Sequence, residues 1–282
     1  MLKNFGDFIC FSSLGRVFYE LFRNVDDPIS IGEWWHMNKR IVLFSFALIV
    51  VFAVAGRACL GSRNSDTRVM QLELMDRIWI PENGKYTPYF ILAKTADDYL
   101  LLREHTTGPC AFSFSDSPNS FYANSALDEF LNVEFVKRFS PEVQSFFLES
   151  DVVITSESSI GSCGEDTDQI QRVFFAPSWT EVTGRHNSTG LQEGALLSEK
   201  LTMEYRKATN DDGELSVWWL RTPDTWYTNR VHCINEEGGV SSASTLDDTG
   251  VYKADVRPAF RISSQIPIVF EYEQWRMQIN AE

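Results

Sequence analysis

Two short segments near the C-terminus decide the fold: Val217–Pro223, which reads VWWLRTP, and Asp255–Ile262, which reads DVRPAFRI. Both are rich in aromatic and β-branched residues, so they predict strands. Successive side chains of a strand point to opposite faces. We therefore expect one of the adjacent tryptophans, Trp218 and Trp219, to fill the core and the other to reach a rim.

The same segments carry two arginines, Arg221 and Arg257, and the proline Pro258. A guanidinium on a strand can pair with a buried acid or with the carboxylate of a ligand. Motif residues inside strands usually serve packing, whereas binding residues concentrate on loops. We therefore predict a structural role for the signature formed by Trp218, Trp219, Arg221, Arg257 and Pro258.

Together the two segments resemble the closing "WWLRSP … GVRPAF" strands of a bacterial domain family of unknown function, common in membrane-attached and secreted proteins. In that family a central helical segment reads S-x-L-R-x-W-L-N-x-x-F. In this chain Asp128 takes the place of the arginine and Phe130 that of the tryptophan. The apolar role is retained, whereas any function of that arginine is not.

The order of the predicted elements indicates an α+β domain. A strand at Arg77–Ile80 opens it, and strands close it. Between them, one helix is capped by Asn124 or Ser125, a second by Ser140, and a third covers Ala195–Lys207. This order resembles the C-type-lectin-like fold, in the branch that includes formylglycine-generating-enzyme-like proteins, an analogy that by itself implies no activity. We predict a lectin-like domain with antiparallel strands and two or more helices over residues 77–265.

An apolar run, Ile41–Gly56, lies between Lys39–Arg40 and Arg57. It is shorter than the ~20 residues that span a bilayer, but Arg57 can snorkel and the following residues can extend the helix. We predict a transmembrane anchor at residues 39–61, which contacts the membrane through residues 41–60; a buried core helix is the alternative. A cleaved signal peptide would require an unusually long n-region.

Three further segments complete the predicted organisation. Residues 1–38 form an amphipathic segment, which lies either on the bilayer or against a protein, and the pattern favours neither. Residues 62–76 are a linker, and residues 266–282 are a C-terminal extension. Basic residues flank the anchor on both sides, so orientation rests on the short N-terminal part. We predict a single-pass cell-membrane protein with an extracytoplasmic C-terminal domain.

The chain is acidic, with 25 Lys and Arg against 39 Asp and Glu and a net charge of −14. Its acidic residues are concentrated in the part that follows the predicted anchor. Such a surface repels nucleic acids and anionic lipids, so we predict no nucleic-acid partner. It is compatible with cationic ligands, with divalent ions or with simple solubility.

Two loops supply candidate ligand contacts. Trp226 and Tyr227 lie on a polar turn, where aromatic rings can stack on sugars or on peptide side chains. Asn235 and the pair Asp247 and Asp248 fall in loops expected at the same end of a lectin-like fold. One carboxylate pair falls far short of the 6–8 oxygens that calcium needs, so we predict no cofactor, and calcium has no support beyond this pair.

The sequence contains no nucleophile elbow, phosphate-binding loop, zinc-protease motif or dinucleotide fingerprint. Cys110, Cys163 and Cys233 show no metal-ligand spacing; one disulfide among them is possible, and the spacing selects no pair. We therefore predict a membrane-anchored domain that binds a protein or glycan without catalysis. The alternative is a structural or assembly component of an envelope machine.

Overall fold

The structure, a computed structural model, describes residues 72–186, 190–247 and 250–279. The predicted N-terminal segment (1–38), the predicted anchor (39–61) and linker residues 62–71 lie outside these ranges. None of the helices in the described ranges is long and apolar enough to cross a membrane.

The described residues form many short strands and few helical turns. The strands are β1 (Arg77–Glu82), β2 (Lys85–Lys94), β3 (Asp98–Arg103), β4 (Pro109–Ala111), β5 (Phe147–Leu148), β6 (Ser150–Thr155), β7 (Thr167–Arg172), β8 (Phe174–Phe175), β9 (Trp218–Pro223), β10 (Arg230–Ile234), β11 (Val240–Ser244), β12 (Leu246–Asp247), β13 (Gly250–Val251), β14 (Lys253–Asp255), β15 (Ala259–Ser263), β16 (Ile268–Glu271) and β17 (Gln274–Met277). The α-helices are α1 (Ala126–Glu129), α2 (Pro141–Gln144), α3 (Trp179–Thr183) and α4 (Met203–Arg206); a π-helical turn covers Phe130–Phe135, and 3-10 turns cover Val136–Arg138 and Glu157–Ser159.

The strands build two main sheets. The larger has the order β16-β17-β1-β2-β3-β15-β5, with β8 also paired to β15, and the smaller has the order β11-β10-β9-β14-β4. Most pairs are antiparallel, but β1 lies parallel to β17 and β14 lies parallel to β9. Strands β16 and β17 come from the predicted C-terminal extension and form one edge of the larger sheet.

The predicted α+β, C-type-lectin-like fold class is wrong. Strands account for 40% of the structure and helices for 14%, and the sheet is mixed and curled. Of the predicted helix Ala195–Lys207, only the four residues of α4 are helical. Glu193 and Leu201 are both buried, and their burial keeps the chain between them irregular. Contacts distant in sequence thus override local helix propensity.

Strand β15, from the second decisive segment, lies at the centre of the core. It pairs with β3, β5 and β8. The ring of Phe260 contacts those of Tyr89, Phe147 and Phe174 at centroid distances of 5.3, 5.2 and 4.9 Å. Burial of such rings supplies a large hydrophobic contribution, and the edge-on contacts with Tyr89 and Phe147 add to it.

Strand β9, from the first decisive segment, is buried along its whole length. Trp218 and Trp219 are both fully buried, so the expectation that one of them reaches a rim is wrong. Other elements cover both faces of the strand and accept the indole N–H groups: Trp218 Nε1 donates to the carbonyl of Arg206 at 2.9 Å, and Trp219 Nε1 donates to that of Cys110 at 2.9 Å.

Candidate ligand-binding site

The loop between β9 and β10 presents the two most prominent aromatic rings of the predicted site. Trp226 is 61% exposed and Tyr227 is 51% exposed, whereas the signature tryptophans are buried. The guanidinium of Arg230 lies 5.3 Å from the centre of the Tyr227 ring. The loop therefore offers an aromatic surface with a cation at its edge.

Hydrogen bonds within the loop fix its shape. Asp224 N donates to the carbonyl of Arg230 at 2.9 Å, and Tyr227 N donates to the carbonyl of Asp224 at 2.9 Å. The carboxylate of Asp224 also accepts from Ser242 Oγ at 3.2 Å, on the neighbouring strand β11. The backbone that carries the two exposed rings is thus held before any ligand arrives, which lowers the entropic cost of binding.

Two other loops brace the same turn from outside. Cys163 N donates to the carbonyl of Thr225 at 3.2 Å, and Ser120 Oγ donates to the carbonyl of Thr228 at 3.2 Å. A Cβ at Gly161 would lie 2.8 Å from Thr228 Cγ2, so this close approach requires a glycine. The aromatic turn is therefore packed at its base and open at its tip.

The structure separates Asn235 from the aromatic turn. Asn235 lies at the far end of β10 from the aromatic turn, where its Oδ1 accepts from Gly239 N at 2.8 Å. It therefore shapes the hairpin turn between β10 and β11. Asp247 belongs to β12, and Asp248 lies outside the described residues. The role of Asp247 and Asp248 as ligand contacts stays a prediction.

The signature arginine Arg221 is fully buried and pairs with an acid, as one of its two expected roles required. Its Nη1 and Nη2 each donate to a carboxylate oxygen of Glu181 at 2.6 Å. Its Nε donates to the carbonyl of Val153, and Nη1 also donates to that of Ala176. Desolvation alone would lower the pKa of Arg221, but the charge and hydrogen bonds of Glu181 together with the charge of Glu193 raise that pKa above its ordinary value.

Glu181 also helps to cap the start of helix α3. Its carboxylate accepts from Ser178 N at 3.0 Å while Ser178 Oγ accepts from Glu181 N at 3.0 Å, a reciprocal capping box. The spacing of a serine followed three residues later by a glutamate is visible in the sequence. The pairing of that glutamate with Arg221 is not, because forty residues separate the two.

Glu193 is a second buried acid beside this ion pair. Its Oε1 accepts from Thr155 N and Thr155 Oγ1, each at 2.7 Å, and its Oε2 accepts from Thr222 Oγ1. Desolvation raises the pKa of Glu193, although the charge of Arg221 and these hydrogen bonds oppose the shift. Arg221, Glu181 and Glu193, with their hydroxyl partners, form what we call the buried ion network.

The other signature arginine, Arg257, is fully buried without a carboxylate partner among the described residues. Its Nε donates to the carbonyl of Arg103 at 2.7 Å, and its Nη1 donates to those of Tyr205 and Arg206 at 2.8 and 3.3 Å. Its guanidinium lies 5.4 Å from the Trp218 ring centre. Desolvation lowers its pKa to about 9. Arg257 and Trp218 together hold the carbonyl end of helix α4.

A cavity of about 310 Å³ lies between helices α3 and α4 and the start of β11. Its lining includes Trp179, Met203 and Val240 together with two arginines, Arg185 and Arg206. We call it the arginine cavity. Sequence reasoning missed it, because its two cations stand on different elements and show no spacing that marks a site.

A larger cavity, of about 570 Å³, lies beside the segment in which Asp128 replaces the arginine of the family pattern. The carboxylate of Asp128 accepts from Arg172 Nε and Nη2 at 2.8 and 2.7 Å and from Asn124 N at 2.8 Å. Asn132 Nδ2 adds a further bond at 3.1 Å. The acid is thus fully engaged in joining the helical segment to β7.

The cysteines have no partners for redox chemistry in the described residues. Cys110, Cys163 and Cys233 are all unpaired, so the possible disulfide among them is not formed. Burial raises the pKa of the Cys110 and Cys233 thiols to about 11 each. A thiol with such a pKa carries little of the nucleophilic thiolate form at neutral pH.

Comparison with known protein families identifies the family of the chain. It belongs to the family described as "Domain of unknown function (DUF6273)", whose pattern matches residues 96–264. The expected resemblance to a domain of unknown function is confirmed, and the matched region contains the aromatic turn, the buried ion network and the arginine cavity. No curated protein and no solved structure matches the chain.

Proposed function

We propose that the domain is a non-catalytic binding module that contacts a protein or glycan ligand through the aromatic turn at Trp226 and Tyr227. One observation carries the proposal: two large rings are more than half exposed on a turn whose backbone is fixed at its base. Exposure of such rings has an energetic cost that a ligand removes, since it buries their apolar surface.

The composition of the turn supports a binding role. Trp, Tyr and Arg are the residues that contribute most at protein interfaces, and aromatic rings also stack on sugars. Trp226, Tyr227 and Arg230 lie within a few residues of one another, and Arg230 packs over the Tyr227 ring. Loops packed shut would have favoured a structural or assembly component; the open tip of this turn favours a binder.

The absence of catalysis is part of the proposal and is supported by the state of the reactive groups. The buried thiols are poor nucleophiles because burial raises their pKa. The carboxylates of Glu181 and Glu193 are enclosed and bound to protein donors. Groups in this state stabilise the fold and do not reach a substrate.

The extracytoplasmic location remains a proposal from the sequence, since the predicted anchor lies outside the described residues. Protease treatment of intact and lysed cells tests it. Digestion of residues 61–282 in intact cells is the expected result. Protection until lysis would place the domain inside and redirect the ligand screens to intracellular partners.

The binding proposal is tested with the full-length chain on a glycan array and on a panel of immobilised envelope proteins. Trp226→Ala is expected to weaken binding of whichever ligand is found by about tenfold or more. The matched control is Tyr272→Ala, which removes an aromatic ring that is 82% exposed on another hairpin. Equal binding by the Trp226→Ala variant and the wild type would refute the proposed surface.

A further inference from the structure

We propose that the arginine cavity binds a small oxyanion, a carboxylate or a phosphate, between Arg185 and Arg206. This inference does not depend on the aromatic turn, which lies at the opposite end of β10. It rests on the charges, the packing and the unpaired groups of the cavity itself.

The first argument is the hydrogen-bonding state of the two arginines. The Nε of Arg206 is buried and has no hydrogen-bond partner in the described part of the chain. Within the same residues, neither Arg185 nor Arg206 forms an ion pair, whereas Arg77, Arg103, Arg172 and others each pair with a carboxylate. A buried donor without a partner is destabilising, because it loses its hydrogen bond to water on folding and gains none in return.

The second argument is electrostatic. Burial lowers the pKa of Arg206, and the nearby charge of Arg185 lowers it further. Two cations are therefore held together in a chain whose net charge is −14. Glu236 and Glu237, in the adjacent hairpin turn, are exposed, and none of the ion pairs among the described residues joins them to either arginine. An anion in the cavity would relieve the repulsion and satisfy the unpaired donor.

The third argument is that the structure holds the cavity walls in place. Helices α3 and α4 contain five and four residues, too few to be stable alone. The buried ion network fixes α3 through Arg221, and Arg257 and Trp218 fix the carbonyl end of α4. Three signature residues, Trp218, Arg221 and Arg257, thus position the two helices that line the cavity.

The hairpin turn between β10 and β11 forms the third wall. Gly238 has a φ of +81°, and a Cβ at this position would overlap the carbonyl oxygen of Met203. The turn therefore packs directly against α4. The hydrogen bond from Gly239 N to Asn235 Oδ1 stabilises the turn. The side chain of Asn235, which the sequence suggested as a ligand contact, shapes the wall.

The size and lining of the cavity restrict the ligand. A volume of about 310 Å³ admits a small molecule and excludes a folded partner. Trp179 supplies an aromatic wall, and its ring is fixed edge-on against His232 at 4.4 Å. A planar guanidinium binds carboxylate or phosphate oxygens in a bidentate fashion, which favours these oxyanions over chloride.

Isothermal titration of the full-length chain with inorganic phosphate and with succinate tests the proposal, with sodium chloride at matched ionic strength as the reference. Binding of either probe is the expected result, and the probe that binds distinguishes a phosphate-bearing from a carboxylate-bearing ligand. Binding of neither probe would overturn the proposal.

Binding measurements on variants test whether the probe binds in the cavity. Arg206→Gln is expected to weaken binding by about tenfold or more, since it removes a charge-assisted hydrogen bond. Arg276→Gln changes the net charge equally on the distant strand β17 and should leave binding unchanged. Should Arg206→Gln fail to fold, Arg185→Gln, on the exposed side, carries the same expectation. An equal loss in Arg276→Gln would show nonspecific attraction and refute the site.

Discussion

Two environments on either side of helix α3 differ in how their arginines are paired. On one side, Glu181 binds both Nη atoms of the fully buried Arg221. On the other side, Trp179 and Thr183 line the cavity in which Arg206 keeps a buried Nε without a partner among the described residues. Residues four apart share a helix face, whereas the residue between them points elsewhere. One short helix therefore serves both environments.

The difference indicates which charges the fold requires and which it leaves available. The buried ion network satisfies its guanidinium with two carboxylate oxygens and two carbonyl oxygens. Such a network stabilises the protein only while it remains complete, because an unpaired buried charge is costly. No described residue supplies the arginine cavity with the acid that would complete it. We interpret the first region as structural and the second as a site completed by a ligand.

The largest expected effect comes from breaking the paired side. Glu181→Gln removes the carboxylate that binds both Nη atoms of the buried Arg221, so we expect the free energy of unfolding to fall by about 3–5 kcal/mol. Urea denaturation measures the change. The matched control is Glu134→Gln, which removes a surface pair with Lys137 and should cost less than about 1 kcal/mol. Equal losses in the two variants would show that burial of the network is irrelevant.

A second effect concerns pH. Desolvation raises the pKa of Glu193 above its ordinary value of 4.5, so the unfolded chain loses this proton at a lower pH than the folded domain does. The wild type is therefore expected to lose stability relative to Glu193→Gln as the pH rises from about 4.5 through the folded pKa. Each unit of pKa shift corresponds to about 1.4 kcal/mol. Urea unfolding of both proteins across this range measures the difference; a constant difference would contradict the prediction.

The smallest effect is expected outside both environments. Trp226→Ala changes an exposed ring, so the free energy of unfolding should stay within about 0.5 kcal/mol of the wild type. Thermal unfolding, followed by circular dichroism, checks this. A much larger loss would mean that the aromatic turn supports the fold, and it would weaken the proposal that its rings await a ligand.

Local signals in the sequence predicted individual elements well. The strand predicted from Arg77 is confirmed, and the strand predicted from Val217 begins one residue later, at Trp218. The cap at Ser140 is also confirmed, and of the two candidates for the first helix, Asn124 and Ser125, the cap is Ser125. These features depend on near neighbours: a capping hydroxyl serves the backbone three residues later, and β-branched and aromatic runs favour strands. The resemblance to a domain of unknown function is also confirmed.

The arrangement of these elements was not predictable in the same way. The parallel pairing of β1 with β17 joins residues almost two hundred positions apart, and no local pattern records it. The burial of both Trp218 and Trp219 likewise depends on layers that cover each face of β9. A strand pattern predicts alternation, but it does not say whether the second face meets solvent.

The candidate sites show the same limit. Exposure of Trp226 and Tyr227 agrees with their position on a polar turn, which the sequence displays. The arginine cavity has no such signal, because Arg185 follows α3 and Arg206 ends α4, and the two meet only after folding. Asn235 shows the opposite case, in which the sequence indicates a site residue that the structure uses otherwise. As a polar residue in a turn it suggested a ligand contact, but its Oδ1 accepts a hydrogen bond from the turn backbone.

The most direct measurement places Arg206→Gln beside Glu181→Gln in one urea-unfolding experiment, in a buffer free of phosphate and carboxylates. If the arginine cavity awaits a ligand, Arg206→Gln removes an unpaired donor and a like-charge repulsion. The free energy of unfolding should then stay unchanged or rise by up to about 1 kcal/mol, while Glu181→Gln lowers it by several times that amount. A loss in Arg206→Gln as large as that in Glu181→Gln would show that Arg206 is structural and would contradict the distinction between the two faces of α3.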